Sequence, residues 1–273
     1  MCIRTKAGVH RQDGGVVTSP TLMWVAAVDL LFSRLAQSPQ VDLSRVAAIS
    51  GAGQQHGSVY WACGARKKLQ GLADHQESLS TALANCFAIA DSPIWMDSST
   101  TACCRRLEDG IGGAEALAQI TGSRAYERFT GNQIAKLAAE KPEAMAQCER
   151  ISLVSSFVAS LLLGDYAGID HADGSGMNLL DIRSRNWDQQ LLDLVAPQLQ
   201  DKLGAPIPCD TVLGSVSSYY SHKYGLSADC KVVVFTGDNP SSLAGMRLQT
   251  GDIVVSLGTS GLRLLSFFAV FFL

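Results

Sequence analysis

Apolar residues recur along this chain with two different periods, and the alternation between them predicts the fold class. Leu22, Val25, Val28, Leu31 and Leu35 fall at helical spacing. Ser19-Pro20 just before them reads as a helix start, a capping hydroxyl followed by proline at the first helical position. Pro39 ends that helix. The apolar run 46–50 predicts a buried strand, with 51–57 as its loop. Residues 64–90 begin polar and turn helical, and 94–96 is short and β-like. Helices are expected at 98–108, 113–120 and 131–140, and Pro142 opens another that ends near Cys148. Residues 151–163 read as one apolar helix ending at Gly164, and 166–178 as loop and short strand. Helical patterns return at 187–203, broken by Pro197, and at 215–224. An apolar run at 232–235 leads into a small-residue helix pattern. A second β-like run then ends in Gly258-Thr259-Ser260. Strands alternating with helices predict an α/β protein with its chemistry at the carboxyl ends of strands.

Composition narrows the function classes. A chain of 273 residues can bury one large core or two modest ones. With 47% hydrophobic and 17% charged residues it reads as a soluble globular protein. A net charge of −3 without a block of like charge gives no basis for a nucleic-acid surface. Eight cysteines are present, none in a C-x-x-C spacing, and Cys103-Cys104 are adjacent, which is poor geometry for zinc. Reduced thiols in a cytoplasmic protein are expected. The first fifteen residues lack the apolar core of a signal peptide. The apolar stretch 264–273 is about half the length of a membrane span, so no membrane association is expected.

The densest chemistry lies in KVVVFTGDNPSSLAGM, residues 231–246, and GDIVVSLGTS, residues 251–260. Asp238 follows an apolar strand and a glycine. A carboxylate there can accept a proton from an acceptor hydroxyl, or it can merely cap the next helix together with Asn239 and Pro240. The turn Gly258-Thr259-Ser260 offers backbone N–H groups and hydroxyls to a phosphate, or is a plain turn. His56, in GAGQQHG, can pair with hydroxyls or sit in its loop as a satisfied histidine. Its glycines miss the dinucleotide spacing by one residue. Arg128, one turn after Arg124, offers a five-donor fork or lies on a solvated helix face. Asp97 is a candidate wall carboxylate. Asp170, Asp173 and Asp181 do not fit a calcium loop, so that stretch reads as a loop.

Five segments resemble the FGGY carbohydrate kinases, and within them the xylulose kinases. They are SGAGQQHGSVYW (50–61), WMDSSTTACCR (95–105), TGSRAYERFTGNQIAK (121–136), DGSGMNLLDI (173–182) and TGDNPSSLAGM (236–246), in family order. The resemblance implies a ribonuclease H-like, actin-like ATPase-type fold. Residues 1–249 would be the sugar-binding N-terminal domain lacking its first strands. Residues 250–273 would be the first strand of the second domain plus a divergent apolar tail. The implied reaction is ATP-dependent phosphorylation of D-xylulose to D-xylulose 5-phosphate, with Mg2+. It implies Asp238 as general base, with His56, Arg128, Asp238 and Asn239 on the sugar and Gly258, Thr259 and Ser260 on the ATP phosphates. The family's opening phosphate loop and its adenine-binding domain have no match here, which implies a fragment inactive by itself. A non-catalytic sugar-pocket protein is the alternative.

Overall fold

The computed structural model describes residues 8–72 and 77–247, together with the backbone of 253–257 and 261–265. The chain divides into two compact units, Met1–Gly237 and Asp238–Leu273.

In the first unit, strands β1 (His10–Arg11) and β2 (Val17–Pro20) form a hairpin ahead of helix α1 (Thr21–Gln37). Ser19 and Pro20 belong to the strand rather than to a helix start, because their backbone pairs with Ser92 and Asp91. The Ser19 hydroxyl donates to the Gly8 carbonyl, 2.7 Å away. The helix then runs where the apolar stripe predicts, burying Val25, Val28 and Phe32 on one face. Two short strands follow, β3 (Ala48–Ile49) and β4 (Ala52–Gly53), and then β5 (Ser58–Ala62).

Helices α2 (Ala65–Gln70) and α3 (Leu79–Ala82) lead to β6 (Asp91–Pro93), which pairs with β2. Four helices come next, α4 (Thr101–Ile111), α5 (Ala114–Thr121), α6 (Thr130–Glu140) and α7 (Pro142–Ala146). The apolar stretch 151–163 is not one helix. Its first residues complete strand β7 (Cys148–Leu153), and helix α8 (Val154–Leu163) follows directly. The strand forms because β5 lies antiparallel beside it, Ser58 facing Leu153 and Tyr60 facing Ile151.

Beyond α8 come α9 (His171–Gly174), the hairpin β8 (Leu180–Asp181) and β9 (Asn186–Trp187), then α10 (Gln189–Val195) and α11 (Leu199–Leu203). Pro197 stands in the break between those two helices, as its missing N–H requires. The unit closes with β10 (Val212–Ser215), α12 (Ser218–Tyr224), β11 (Lys231–Val233) and β12 (Thr236–Gly237). Strands β11 and β12 run parallel to β3 and β4. Between the two pairings, the Thr236 N–H donates to the Gly51 carbonyl at 3.1 Å and the Ser50 hydroxyl to the Val234 carbonyl at 2.9 Å. The stretch 46–50 is less buried than its apolar run predicts, with Ala48 exposed and Ile49 half-buried. The reason is topological. The sheet order is β10-β11-β3, so among the described residues β3 is an edge.

Two hydrophobic cores lie on either side of the β5–β7 pair. Val59 and Trp61 join the first with Phe32, Phe157, Tyr220 and Val232. Tyr60, between them in sequence, joins the second with Leu117, Ile134, Ile151 and Leu191. Successive side chains of a strand point to opposite faces, so β5 serves both. Burying each such large side chain is worth about 1.5–3 kcal/mol. All seven cysteines among the described residues are free thiols. No helix is long and apolar enough to cross a membrane among the described residues.

The second unit is described by itself as helix α13 (Asp238–Gly245) and the antiparallel hairpin β13 (Ile253–Leu257) and β14 (Gly261–Leu265).

Asp170 ties α9 to β12. It caps the helix, accepting from the N–H groups of Ala172 at 3.0 Å and Asp173 at 3.1 Å, and takes the Thr236 hydroxyl at 3.0 Å. Burial pushes its carboxyl up to about 6, outweighing those three donors. A carboxyl raised in the folded state favours folding while protonated and loses that advantage as pH rises through its folded value. Asp170 therefore costs the first unit stability between about pH 4 and 6, on the order of 3 kcal/mol in all. In urea titrations at stepped pH, Asp170→Asn should lose this decline. An unchanged pH slope would show that Asp170 ionises normally.

Candidate functional site

His56 stands in the short loop between β4 and β5 with φ at 68°, a left-handed conformation uncommon for a side-chain-bearing residue. Several contacts hold it there. The Thr130 hydroxyl, at the start of α6, donates to the His56 carbonyl at 3.0 Å. The imidazole packs on Phe129 with ring centroids 4.8 Å apart. Its Nδ1 lies 3.1 Å from the Gly176 carbonyl oxygen. A carbonyl oxygen only accepts, so Nδ1 carries the proton and donates. Burial lowers the imidazole to about 4, the Gly176 bond opposes this, and the Arg128 charge adds to it. At neutral pH His56 is uncharged.

Arg128 lies in the turn that enters α6. Its guanidinium sits over the Tyr126 ring at 4.8 Å and the Trp95 ring at 5.8 Å, and donates to the Tyr126 hydroxyl at 3.1 Å. It forms no ion pair among the described residues. Arg124, by contrast, is exposed and paired with Glu108 at 3.4 Å. The structure thus brings His56 and Arg128 into one cluster with Trp95, Tyr126 and Phe129. A neutral ring and a fixed cation over aromatic walls suit a polyhydroxyl ligand, with donors on the guanidinium and an acceptor on the ring.

Asp97 is not a wall carboxylate. It is buried and fully engaged, accepting from the Val17 N–H at 2.8 Å, the Ser99 N–H at 2.9 Å and hydroxyl at 2.6 Å, and the Gln133 amide at 2.8 Å. Burial alone would raise its carboxyl, but these bonds hold it below the usual range. It pins β2 to α6.

Asp173, which reads from sequence as part of a loop, is a buried carboxylate at the tip of β12. Its Oδ2 accepts from the Ser155 hydroxyl at 2.6 Å. A Cβ on Gly237 would lie 2.6 Å from both its Oδ1 and Gln55 Cγ, so only glycine lets the strand end approach the His56 loop. The signal available in sequence was Asp170-x-x-Asp173, a helix-capping spacing. Asp238 is the next residue in the chain and opens the second unit. There Asp238 Oδ1 accepts from the Asn239 N–H at 3.0 Å and amide at 3.4 Å, and its carbonyl accepts from the Ser242 hydroxyl at 2.9 Å. Gly258, Thr259 and Ser260 lie outside the described residues. No group of three or more His, Cys, Asp or Glu side chains could hold a metal among the described residues, so none is assigned to Mg2+.

Residues 84–245 match the model of the FGGY family of carbohydrate kinases, N-terminal domain. The chain is 59% identical over 261 residues to a mouse (Mus musculus) protein named xylulose kinase, covering 94% of this chain and 46% of that protein. It is 51% identical over 260 residues to xylulose kinase 2 of Arabidopsis thaliana, with the same two coverages. It therefore spans about half the length of these relatives. Gluconate kinase from Lactobacillus acidophilus superposes with a TM-score of 0.74 at 19% identity, over 93% of this chain and 46% of that one. The α/β, actin-like expectation thus holds. A match over more than half the chain, on a sugar-kinase fold and with a cluster suited to hydroxyls, means that this chain belongs to the FGGY family of carbohydrate kinases.

Proposed function

We propose that this chain provides the sugar-binding part of an ATP-dependent kinase that converts D-xylulose to D-xylulose 5-phosphate. The observation that carries the reading is the 59% identity to mouse xylulose kinase across 94% of the chain. His56 and Arg128 bind the ketose, His56 through its free ring nitrogen and Arg128 through its guanidinium. Asp238 accepts the proton of the acceptor hydroxyl as the phosphoryl group arrives, and Asn239 pairs with a neighbouring hydroxyl. Gly258, Thr259 and Ser260 cradle the phosphates of ATP, and Mg2+, arriving with the nucleotide, neutralises phosphate charge. A second reading is a sugar-binding protein without kinase activity, which needs no more than the cluster around His56 and Arg128. Coupled turnover with D-xylulose and ATP, on the 273-residue chain beside one extended to the relatives' length, separates the two. Turnover by neither chain would end the kinase reading.

In the extended, active chain, Asp238→Ala should lower kcat on the order of 10²–10⁴-fold while leaving sugar binding measurable by calorimetry. A variant of near-normal kcat would remove Asp238 from the general-base role. Alanine at His56 or Arg128 should raise KM for D-xylulose far more than KM for ATP. The reverse ordering would move both residues to the nucleotide. Because burial holds the His56 imidazole at about 4, sugar affinity should stay level from about pH 8 down to 5 and fall only as pH approaches 4. Arg128 is the charged group beside the ring. A step in affinity near pH 6.5 would contradict this.

A further inference from the structure

We infer that Thr130 and Gly176 are positioning residues that lock His56 in a single tautomer, protonated on Nδ1, with Nε2 presented as a hydrogen-bond acceptor. His56 then recognises a ligand hydroxyl that donates, whereas Arg128 recognises oxygens that accept. The ligand assignment rests on the sugar-kinase reading above, but the lock itself does not.

The lock has two parts. Thr130 is fully buried, and its hydroxyl grips the His56 carbonyl at 3.0 Å. That bond holds the backbone of a residue whose φ of 68° costs energy unless its surroundings impose it. Gly176 supplies the carbonyl that takes the Nδ1 proton at 3.1 Å. It also gives the ring room. A Cβ at position 176 would meet Cε1 at 3.2 Å and Nδ1 at 3.4 Å, so alanine would push the imidazole away from its partner. Phe129, packed on the ring, limits where the imidazole can go. Protonation on Nδ1 leaves Nε2 with a lone pair and no proton, since the ring is neutral. An acceptor beside a donor-only guanidinium reads the direction of each hydrogen bond as well as its position. A ligand that covers Nε2 without offering a donor there would leave it desolvated and unpaired, which is where discrimination is strongest.

Nitrogen NMR of the imidazoles tests the lock without any ligand. The chain holds only five histidines, so His56→Gln assigns the signal. In the 273-residue chain the His56 resonances should show Nδ1 protonated and Nε2 bare. Gly176→Ala and Thr130→Val should shift them toward a tautomer mixture, and Thr130→Ser should restore the parent pattern. The same two disruptive variants should weaken D-xylulose binding roughly three- to ten-fold, the worth of about one hydrogen bond. A His56 protonated on Nε2, or a parent spectrum unmoved by Gly176→Ala, would overturn the lock. If the tautomer and its response to Gly176→Ala are as stated but D-xylulose does not bind, the lock stands and the sugar reading falls. Should Thr130→Val fail to fold, Gly176→Ala carries the test.

Discussion

The antiparallel pair of β5 and β7 is the constraint on which the rest of the first unit depends. Ser58, Val59, Tyr60 and Trp61 of β5 are all fully buried. A strand buried on both faces must satisfy its backbone groups by pairing: β7 takes one edge from Ser58 to Ala62, and on the other the Ala62 N–H donates to the Cys86 carbonyl and the Ala88 N–H to the Tyr60 carbonyl, both at 2.9 Å. Buried hydroxyl and indole groups along the pair find partners as well. The Trp61 indole N–H donates to the Ser152 hydroxyl at 3.1 Å, and the Ser58 and Tyr60 hydroxyls meet at 3.0 Å. Around Trp61 stand Phe87, Phe157 and Tyr166, with ring centroids between 5.1 and 5.5 Å away. One strand thus joins two cores, and the loop carrying His56 is anchored directly to its start.

That anchoring explains how a strained residue sits in the functional cluster. His56 is fixed by three contacts from two places: Phe129 and Thr130 at the start of α6, and Gly176 in the turn after α9. Each of these is itself tied down. The Gln133 amide, on the same helix as Thr130, reaches Asp97 and so β2. The Asn132 amide donates to the Tyr126 carbonyl at 3.1 Å, holding the turn that presents Arg128. Arg128 in turn rests on aromatic rings rather than on a carboxylate, which leaves its donors oriented without neutralising its charge. A pre-formed donor and acceptor lose little entropy on meeting a ligand.

Much of this was legible in the chain itself. Helix α1 and the run from α4 to α7 follow directly from apolar spacing and from Pro142 at a helix start. His56 and Arg128 fall in one cluster, and Arg124 is set apart by its ion pair. What was missed or misread has common physical causes. SVYWA shows no alternation because both its faces are buried, so β5 carries no periodic signal. The stretch 151–163 is apolar throughout, and only a partner strand 91 residues away decides that its beginning is extended, as the Trp61–Ser152 bond records. Ser19-Pro20 has the chemistry of a helix start but is claimed by a strand. Asp97 and Asp173 are carboxylates whose environment alone tells support from ligand contact. Sequence spacing also cannot reveal a tautomer, which belongs to a carbonyl 120 residues distant.

The parallel pairing of β3 with β11 has a consequence for synthesis. The Ser50 hydroxyl and the Val234 carbonyl that bridge it are 184 residues apart in the chain. At a ribosomal pace of about 5–20 residues per second, roughly 10–40 s pass between the emergence of one partner and the other. Throughout that interval the segment around Ile49 has been made, but the strand that will pair with its backbone has not. The nascent polypeptide must therefore be kept from associating with its neighbours on the polysome. The time during which it needs such protection is set by translation rate rather than by its own folding speed.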